Sequence, residues 1–484
     1  MSVKMHLFFC NNVEFARKNV TLYPNIRLLE RDEWGKPPFG ASIGLRIFSI
    51  KTTKRRKAKQ RIIGLPRGVQ KAWSPVETLR WEFVLKGTLM KKKLIIPVVL
   101  CTIIIIAVIS TCIGGGSKIF VEWDAVPVPP ENNDSIELRV YVENSGSMDA
   151  YMCAGSDLKD AVFDYVSDLK RFTSSCSLYY INSKVIPFNG ELNTYIKELT
   201  PQAFAKAGGN RSNTDLRQIL DTIVKNNNSK TVSVFVSDCI LDIPQNAIDF
   251  LGNCQVSIKN TFNEALSSNP NLGVEIMKLE SKFDGYWFCG HNKELLKDIK
   301  RPYYIWVIGD QSVLAKLNKN VPVENIIGGI KEYSAYAAPQ PIPFDMNKRK
   351  YVTNHSGKIN VELLVNLRGS LQSNVLYKNI AQYKSANPSQ VEIVSVDEIT
   401  ADSSPYSHVI KLEISNPETL KSESITFSYP YLATWVSNSD DTTGVNVKDN
   451  LDKTTGLMAL IKGVAEAYKN STTYGSISFN LKNK

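Results

Sequence analysis

The sequence predicts an α/β domain with a doubly wound, mainly parallel sheet of Rossmann type over residues 134–320, followed by a β-rich, sandwich-like domain over 340–484. Two observations predict the first domain. Apolar strands alternate with amphipathic helices, and the run TVSVFVSD at 231–238 is apolar at nearly every position, as in a strand covered on both faces. The second domain is predicted by apolar runs that are joined by polar connections rich in Asn, Asp, Ser and Pro.

The elements of the first domain follow from hydrophobic periodicity. The run at 156–172 places Leu158, Val162, Tyr165 and Leu169 on one helical face, and 213–227 has the same spacing. A further helix is expected near KELLKDI at 293–299. Predicted strands are IELRVYV at 136–142, CSLYYI at 176–181, TVSVFVSD at 231–238 and YYIWVIGD at 303–310. This alternation predicts parallel strands joined by crossover helices.

The second domain ends in a predicted helix and strand. In TTGLMALIKGVAEAYKN at 454–470, the residues Leu457, Ile461, Val464 and Tyr468 share one face, and SISFNL follows with strand-like alternation. This helix either closes the β-rich domain or docks on the first domain. The sequence leaves both arrangements open.

The positive charge of the chain is concentrated at its start. Residues 1–89 hold 18 of the 58 Lys and Arg but only 6 of the 47 Asp and Glu, so the rest of the chain is nearly neutral with 40 basic and 41 acidic residues. A nucleic-acid role for the main body therefore loses its support. Residues 1–89 are a basic leader that is either cytoplasmic or not translated, with Met90 as the true start.

A membrane anchor is predicted at 90–112. Three lysines at 91–93 precede 19 uncharged residues at 94–112, enough helix to cross about 30 Å of hydrocarbon. The positive-inside rule places the body on the non-cytoplasmic side, as in a membrane-anchored cell-envelope protein. A lipoprotein signal ending at Cys112 is the alternative, since VISTC is similar to a lipobox. Residues 113–133 form a Pro-rich linker.

Five cysteines lie beyond the predicted anchor, and none forms a CxxC pair. A zinc ribbon is therefore not expected. Cys153 and Cys176 are candidates for a disulfide. Cys239, at the end of an apolar strand, is expected to be buried as a free thiol.

Five oxygen-bearing side chains follow predicted strands or begin a predicted helix. Glu143, Ser145 and Ser147 stand at alternate positions after the strand at 136–142, Thr214 precedes a helix, and Asp238 ends the strand at 231–238. Ligands of open parallel sheets bind outside the carboxyl ends of the strands, where such loops converge. A set of oxygens without nitrogen or sulfur suits Mg²⁺ or Mn²⁺.

These residues resemble the metal-ion-dependent adhesion site of the von Willebrand factor A domain family, whose signature is Asp-x-Ser-x-Ser, a later Thr and a later Asp. The resemblance covers about 180 residues of the chain. It implies that Ser145 and Ser147 bind the ion directly, and that Glu143 and Asp238 act mainly through waters. Thr214 would bind directly or through water. A partner protein would complete the shell with an acidic side chain, and no small-molecule substrate or catalytic residue is expected.

Two departures and two alternatives accompany this resemblance. The first acidic position is Glu143 instead of Asp, and Cys239 stands where the family often has Gly after the final Asp. One alternative is a structural scaffold with a degenerate, metal-free site, in which the hydroxyls bond turn and helix-end amides. The other is a hydrolase using Ser145 or Asp238, with His291 as a possible base, although NSGSM is not the G-x-S-x-G nucleophile elbow.

Overall fold

The computed structural model describes residues 117–130, 135–212, 214–244, 247–401, 403–468 and 473–483. The basic leader, the predicted membrane span at 94–112 and part of the linker lie outside these residues. Within the described ranges, no helix combines the length and the apolar character needed to cross a membrane.

The described residues form eighteen strands and nine α-helices. The strands are β1 Lys118–Glu122, β2 Glu137–Glu143, β3 Ser175–Ile181, β4 Val185–Phe188, β5 Thr231–Ser237, β6 Leu272–Cys289, β7 Asn292–Asp310, β8 Glu332–Tyr336, β9 Phe344–Met346, β10 Lys350–Val352, β11 Lys358–Val365, β12 Tyr383–Ser385, β13 Val391–Glu398, β14 His408–Ser415, β15 Ser422–Ser428, β16 Asp440–Asp441, β17 Thr454–Thr455 and β18 Thr473–Asn483. The helices are α1 Asp157–Lys170, α2 Leu192–Lys197, α3 Pro201–Ala207, α4 Leu216–Lys225, α5 Ala247–Ser268, α6 Gln311–Asn320, α7 Asn374–Tyr377, α8 Thr434–Asn438 and α9 Leu457–Ala467.

The largest sheet is mixed, so the prediction of a doubly wound, mainly parallel sheet is wrong. Its seven strands lie in the order β4-β3-β2-β5-β7-β6-β8. Only β2 pairs in parallel, with β3 on one side and β5 on the other, and the remaining four pairings are antiparallel. The fold is β-rich, with this mixed sheet beside smaller antiparallel ones.

A long hairpin accounts for this difference from the prediction. β6 and β7 contain 18 and 19 residues and pair along nearly their whole length. The predicted helix KELLKDI lies inside β7, where Leu295 pairs with Tyr286 and Leu296 with Gly285. Leu295, Leu296 and Ile299 have the spacing of a helical face, but cross-strand pairing overrides this local pattern because strand preference depends strongly on tertiary context.

Helices cover both faces of the seven-stranded sheet. Successive side chains of a strand point to opposite faces. Accordingly, Val140 and Val142 of β2 pack in the core beneath α1, whereas Tyr141 packs in the core that contains α4, α5 and α9. The predicted C-terminal helix, α9, therefore lies on this sheet and packs against α5.

The β-rich part consists mainly of two antiparallel sheets. One has the order β10-β1-β18-β15-β12, and the other β13-β14-β11-β9. Strand β1, from the segment assigned to the linker by sequence, pairs with β10 and β18. Residues of both sheets, such as Ile119 and Val361, belong to the same continuous core as Leu138 of β2. The β-rich part thus shares one continuous hydrophobic core with one face of the seven-stranded sheet.

The five described cysteines beyond the predicted anchor are all free thiols. The predicted pairing of Cys153 with Cys176 is wrong, because Cys153 lies against Lys282 of β6 while Cys176 belongs to β3, and three strands lie between β3 and β6 in the sheet. The predicted burial of Cys239 is confirmed, since its side chain is 1% exposed.

We predict that the same substitution has opposite effects in the two packed helices α5 and α9. A Cβ at Gly463 of α9 would stand 2.8 Å from the Gln255 carbonyl oxygen and 2.8 Å from the Ile258 side chain, whereas a Cβ at Gly252 of α5 meets nothing within 4 Å. Gly252→Ala should stabilise the protein by about 1 kcal/mol through helix propensity. Gly463→Ala should destabilise it by about 1 kcal/mol, because overpacking outweighs the same gain.

Urea unfolding of the full-length variants, followed by circular dichroism, measures both effects. Equal stabilisation by the two substitutions would contradict the close packing of α9 on α5.

Candidate metal centre

The parallel pairing of β2 with β5 brings two predicted site residues to one edge of the sheet. Val142 of β2 lies opposite Val236 of β5, so Glu143 ends β2 beside the point where Asp238 follows β5. Both side chains are buried, with exposures of 3% for Glu143 and 1% for Asp238. The sheet therefore places two carboxylates in a site from which water is largely excluded.

The loop after β2 supplies the two predicted serines. The Ser145 and Ser147 hydroxyl oxygens lie 3.0 Å apart and share a hydrogen bond. Ser147 begins a 3-10 helix that ends at Met152. The spacing of the serines, two residues apart, thus brings their hydroxyls side by side in one turn. Two oxygen ligands of a single ion must lie this close together.

A second loop carries Thr214 toward this turn. Gly146 stands between the two serines, and its amide donates to the carbonyl oxygen of Arg211 over 3.0 Å. Arg211 lies three residues before Thr214 in the sequence. The Arg211 guanidinium donates to the Asn144 carbonyl oxygen over 2.8 Å and forms an ion pair with Asp149. The Thr214 loop is therefore fastened to the serine loop through both backbone and side-chain bonds.

Two buried oxygens of the predicted set lack hydrogen-bond partners in the structure, namely Asp238 Oδ2 and Thr214 Oγ1. The other Asp238 oxygen accepts from the Ile240 amide over 3.3 Å, and the Ser147 hydroxyl lies near enough to this carboxyl to lower its pKa. Buried polar atoms in native proteins are nearly always paired, so these two atoms require a ligand, a water or an ion. Like the hydroxyls of Ser145 and Ser147, these oxygens are of the kind that a hard cation such as Mg²⁺ or Mn²⁺ prefers.

The electrostatics of the two carboxylates also favour a cation. Burial, and then the nearby Asp238 charge, raise the pKa of Glu143 to about 8, while hydrogen bonds from the Ser237 and Ser145 hydroxyls oppose the change. Burial likewise raises the pKa of Asp238, although the Ser147 hydroxyl, the Ile240 amide and the Arg301 guanidinium counteract it. A bound divalent cation would reverse this effect by stabilising both charged forms.

The two departures from the family pattern have visible structural consequences. Glu143 accepts a hydrogen bond from the Ser237 hydroxyl, which also accepts from the Cys239 amide over 2.7 Å. Cys239 has φ of 54°, in the left-handed region that glycine adopts without strain. The loop after Asp238 therefore keeps the backbone conformation that favours Gly, even though the residue is Cys.

Arg301 is a buried cation near the site that the sequence did not predict. Its side chain is 1% exposed, and its charge helps to hold down the pKa of Asp238. The guanidinium donates to the carbonyl oxygens of Asn450 and Lys453, over 3.4 and 3.1 Å. No local pattern marks this arginine, because it reaches the site only through the antiparallel placement of β7 beside β5.

The residues considered for a hydrolase have other surroundings than a catalytic group would need. His291 is exposed in the turn between β6 and β7, and the Ser145 hydroxyl is bonded to that of Ser147. Asp242 accepts from the Gly290 amide over 2.7 Å. Within the described part of the chain, no three His, Cys, Asp or Glu side chains come together as metal ligands. The candidate centre is of a different kind, with two carboxylates and three hydroxyls.

We predict that the cation-free protein loses stability as the pH rises. Between about pH 4.5 and pH 8 the folded chain keeps a proton on Glu143 that the unfolded chain has released, so the free energy of unfolding should fall across this range, by at least about 1 kcal/mol, and level off above it. Urea unfolding in EDTA at a series of pH values measures this slope.

Glu143→Gln should make the slope shallower without abolishing it, because burial also raises the pKa of Glu275 to about 7. The matched control Glu418→Gln, the same substitution at an exposed position, should leave the slope intact. An unchanged slope in Glu143→Gln would contradict the assignment of the proton to this residue.

Comparisons with known proteins identify no family for this chain. No protein-family model, no curated protein and no solved structure matches it. The resemblance to the von Willebrand factor A adhesion site therefore stands on the site residues alone, namely Glu143, Ser145, Ser147, Thr214 and Asp238.

Proposed function

We propose that this chain binds Mg²⁺ or Mn²⁺ through Glu143, Ser145, Ser147, Thr214 and Asp238, and that it uses the ion to hold an acidic side chain of a protein partner. The proposal rests on two buried, unpartnered oxygens, Asp238 Oδ2 and Thr214 Oγ1, and on a second buried carboxylate, Glu143, whose pKa the nearby Asp238 raises. An oxygen-only set of this kind suits a hard divalent cation.

The residues of the site divide between direct ligands and supporting charge. The adjacent hydroxyls of Ser145 and Ser147 are neutral and can bind an ion without like-charge repulsion between them. Glu143 and Asp238 supply negative charge, and Glu143 is oriented by the Ser237 hydroxyl. When bound, the ion supplies a fixed positive charge with an open coordination position. A carboxylate from a partner is the ligand class that such a position favours.

We also propose that the chain acts at a membrane. The uncharged segment at 94–112, preceded by three lysines, would tether the protein to a membrane with its body on the non-cytoplasmic side. A cell-envelope protein tethered in this way would act in adhesion or in protein assembly. The β-rich part would serve as a spacer or as a second binding surface.

Calorimetric titration of the full-length protein with Mg²⁺ and with Mn²⁺ tests the cation site. We expect heat of binding from the natural protein and at least a tenfold loss of affinity in the double variant Ser145→Ala, Ser147→Ala, because two neutral oxygen ligands are removed. The matched control, Ser267→Ala with Ser268→Ala, changes two exposed serines at the end of α5 and should bind the ion normally.

Absence of binding heat in the natural protein would support the metal-free structural scaffold instead. Equal affinities of the two double variants would show that the ion binds elsewhere. Turnover of ester or phosphate substrates that is lost in Ser145→Ala or in Asp238→Asn would favour the hydrolase alternative.

A further inference from the structure

The β-rich part contains an open cleft of about 780 Å³ where strand β1 leaves its sheet. β1 ends at Glu122, which pairs with Asn480 of β18. The chain then crosses through Trp123 to Val126, which bridges Phe344 of the four-stranded sheet. From Phe479 toward the start of β18, this edge of the strand no longer pairs with β1. None of the residues that line the cleft belongs to the seven-stranded sheet that carries the cation site.

Backbone groups of β18 point into the cleft. The backbone of Ser424 in β15 faces β12, because its carbonyl oxygen accepts a hydrogen bond from the Ala386 amide. Ser424 lies opposite Ser478 of β18, so these two residues form a pair without backbone hydrogen bonds between them. The amide and carbonyl of Ser478 therefore turn away from β15, toward the side that β1 has left. Ser476, two residues earlier, has the same orientation.

This unpaired edge is bounded at both ends. Asn480 pairs with β1 at one end, and the Tyr474 carbonyl oxygen accepts from the Gln340 amide over 3.1 Å at the other. Between them, no backbone partner for Ser476 or Ser478 on this side occurs among the residues that the structure describes. The window spans five residues, about 17 Å of strand. Native proteins usually cover or block such edges, so an accessible window calls for an occupant.

Side chains that line the cleft are held in place before any ligand arrives. The Trp123 indole N–H donates to Asp345 over 2.8 Å, and the Arg349 guanidinium lies 5.3 Å from the centre of its ring. On the opposite side, the Asn387 amide donates over 3.0 Å to Glu423, a carboxylate that is 2% exposed. Fixed walls lower the entropic cost of binding.

We propose that this cleft binds an extended peptide segment of a partner protein, which adds as a strand antiparallel to β18 in the place that β1 vacates. Main-chain bonds to Ser476 and Ser478 would supply affinity, as in other cases of strand addition. Alternate peptide side chains would point to the apolar floor, where Val126 and Phe479 lie. Acidic Asp124 at the exposed rim favours a Lys or Arg at a solvent-facing peptide position.

Selection and direct binding test this proposal. Random heptapeptides displayed on phage are selected on the full-length protein in EDTA, so that the cation site does not contribute, and a selected peptide is synthesised with a fluorescent label. Polarisation should show at least tenfold weaker binding to Ser478→Pro, which removes an amide that faces the cleft but leaves the ladder with β15 intact. Ser478→Thr keeps this amide and should bind normally.

Hydrogen exchange of the natural protein gives a second readout that does not depend on the folding of Ser478→Pro. Peptide binding should slow exchange at the amides of Ser476 and Ser478 and leave Ile477 and Phe479 unchanged, because the latter already face β15. Failure to select any peptide, or protection without this alternation, would overturn the proposal. Either result is independent of whether the protein binds Mg²⁺.

Discussion

The parallel pairing of β2 with β5 is the constraint on which the candidate centre depends. It places the ends of two buried strands side by side, so that Glu143 and Asp238 become neighbours although 94 residues separate them along the chain. Burial of two carboxylates is unfavourable unless the charges are compensated. Burial raises the pKa values of both groups because the charged carboxylates are unfavourable there, and a cation bound by the adjacent hydroxyls would stabilise the charged forms.

The β6–β7 hairpin joins this centre to the C-terminal half of the chain. Arg301 of β7 lies near Asp238 and donates to carbonyl oxygens in the segment that precedes α9. The same segment holds the loop after Asp238 directly, since the Leu241 amide donates to the Thr455 carbonyl oxygen over 2.9 Å. The position of Asp238 therefore depends on Arg301 of β7 and on the segment that precedes α9, as well as on its own loop.

The proposed cation site and the proposed peptide cleft beside β18 would use different parts of the chain for recognition. At the proposed cation site, the ligands would be side-chain oxygens from separate loops, so a substitution such as Ser145→Ala would remove a ligand directly. In the cleft, the recognising groups would be the backbone amides and carbonyls of Ser476 and Ser478, which most substitutions leave in place. A protein with both sites would hold one partner through an ion and another through strand pairing, on separate sheets of one packed body.

The sequence by itself determined the strands β2 and β5, the helices α1, α4 and α9, and the positions of the candidate oxygens, because these depend on local periodicity and on residues that follow strand ends. Tertiary structure decided the rest. Whether Leu295 and Ile299 lie in a helix or a strand depends on pairing with β6, and whether Arg301 reaches Asp238 depends on β7 lying antiparallel beside β5. Such pairings join residues far apart along the chain, and local patterns do not encode them.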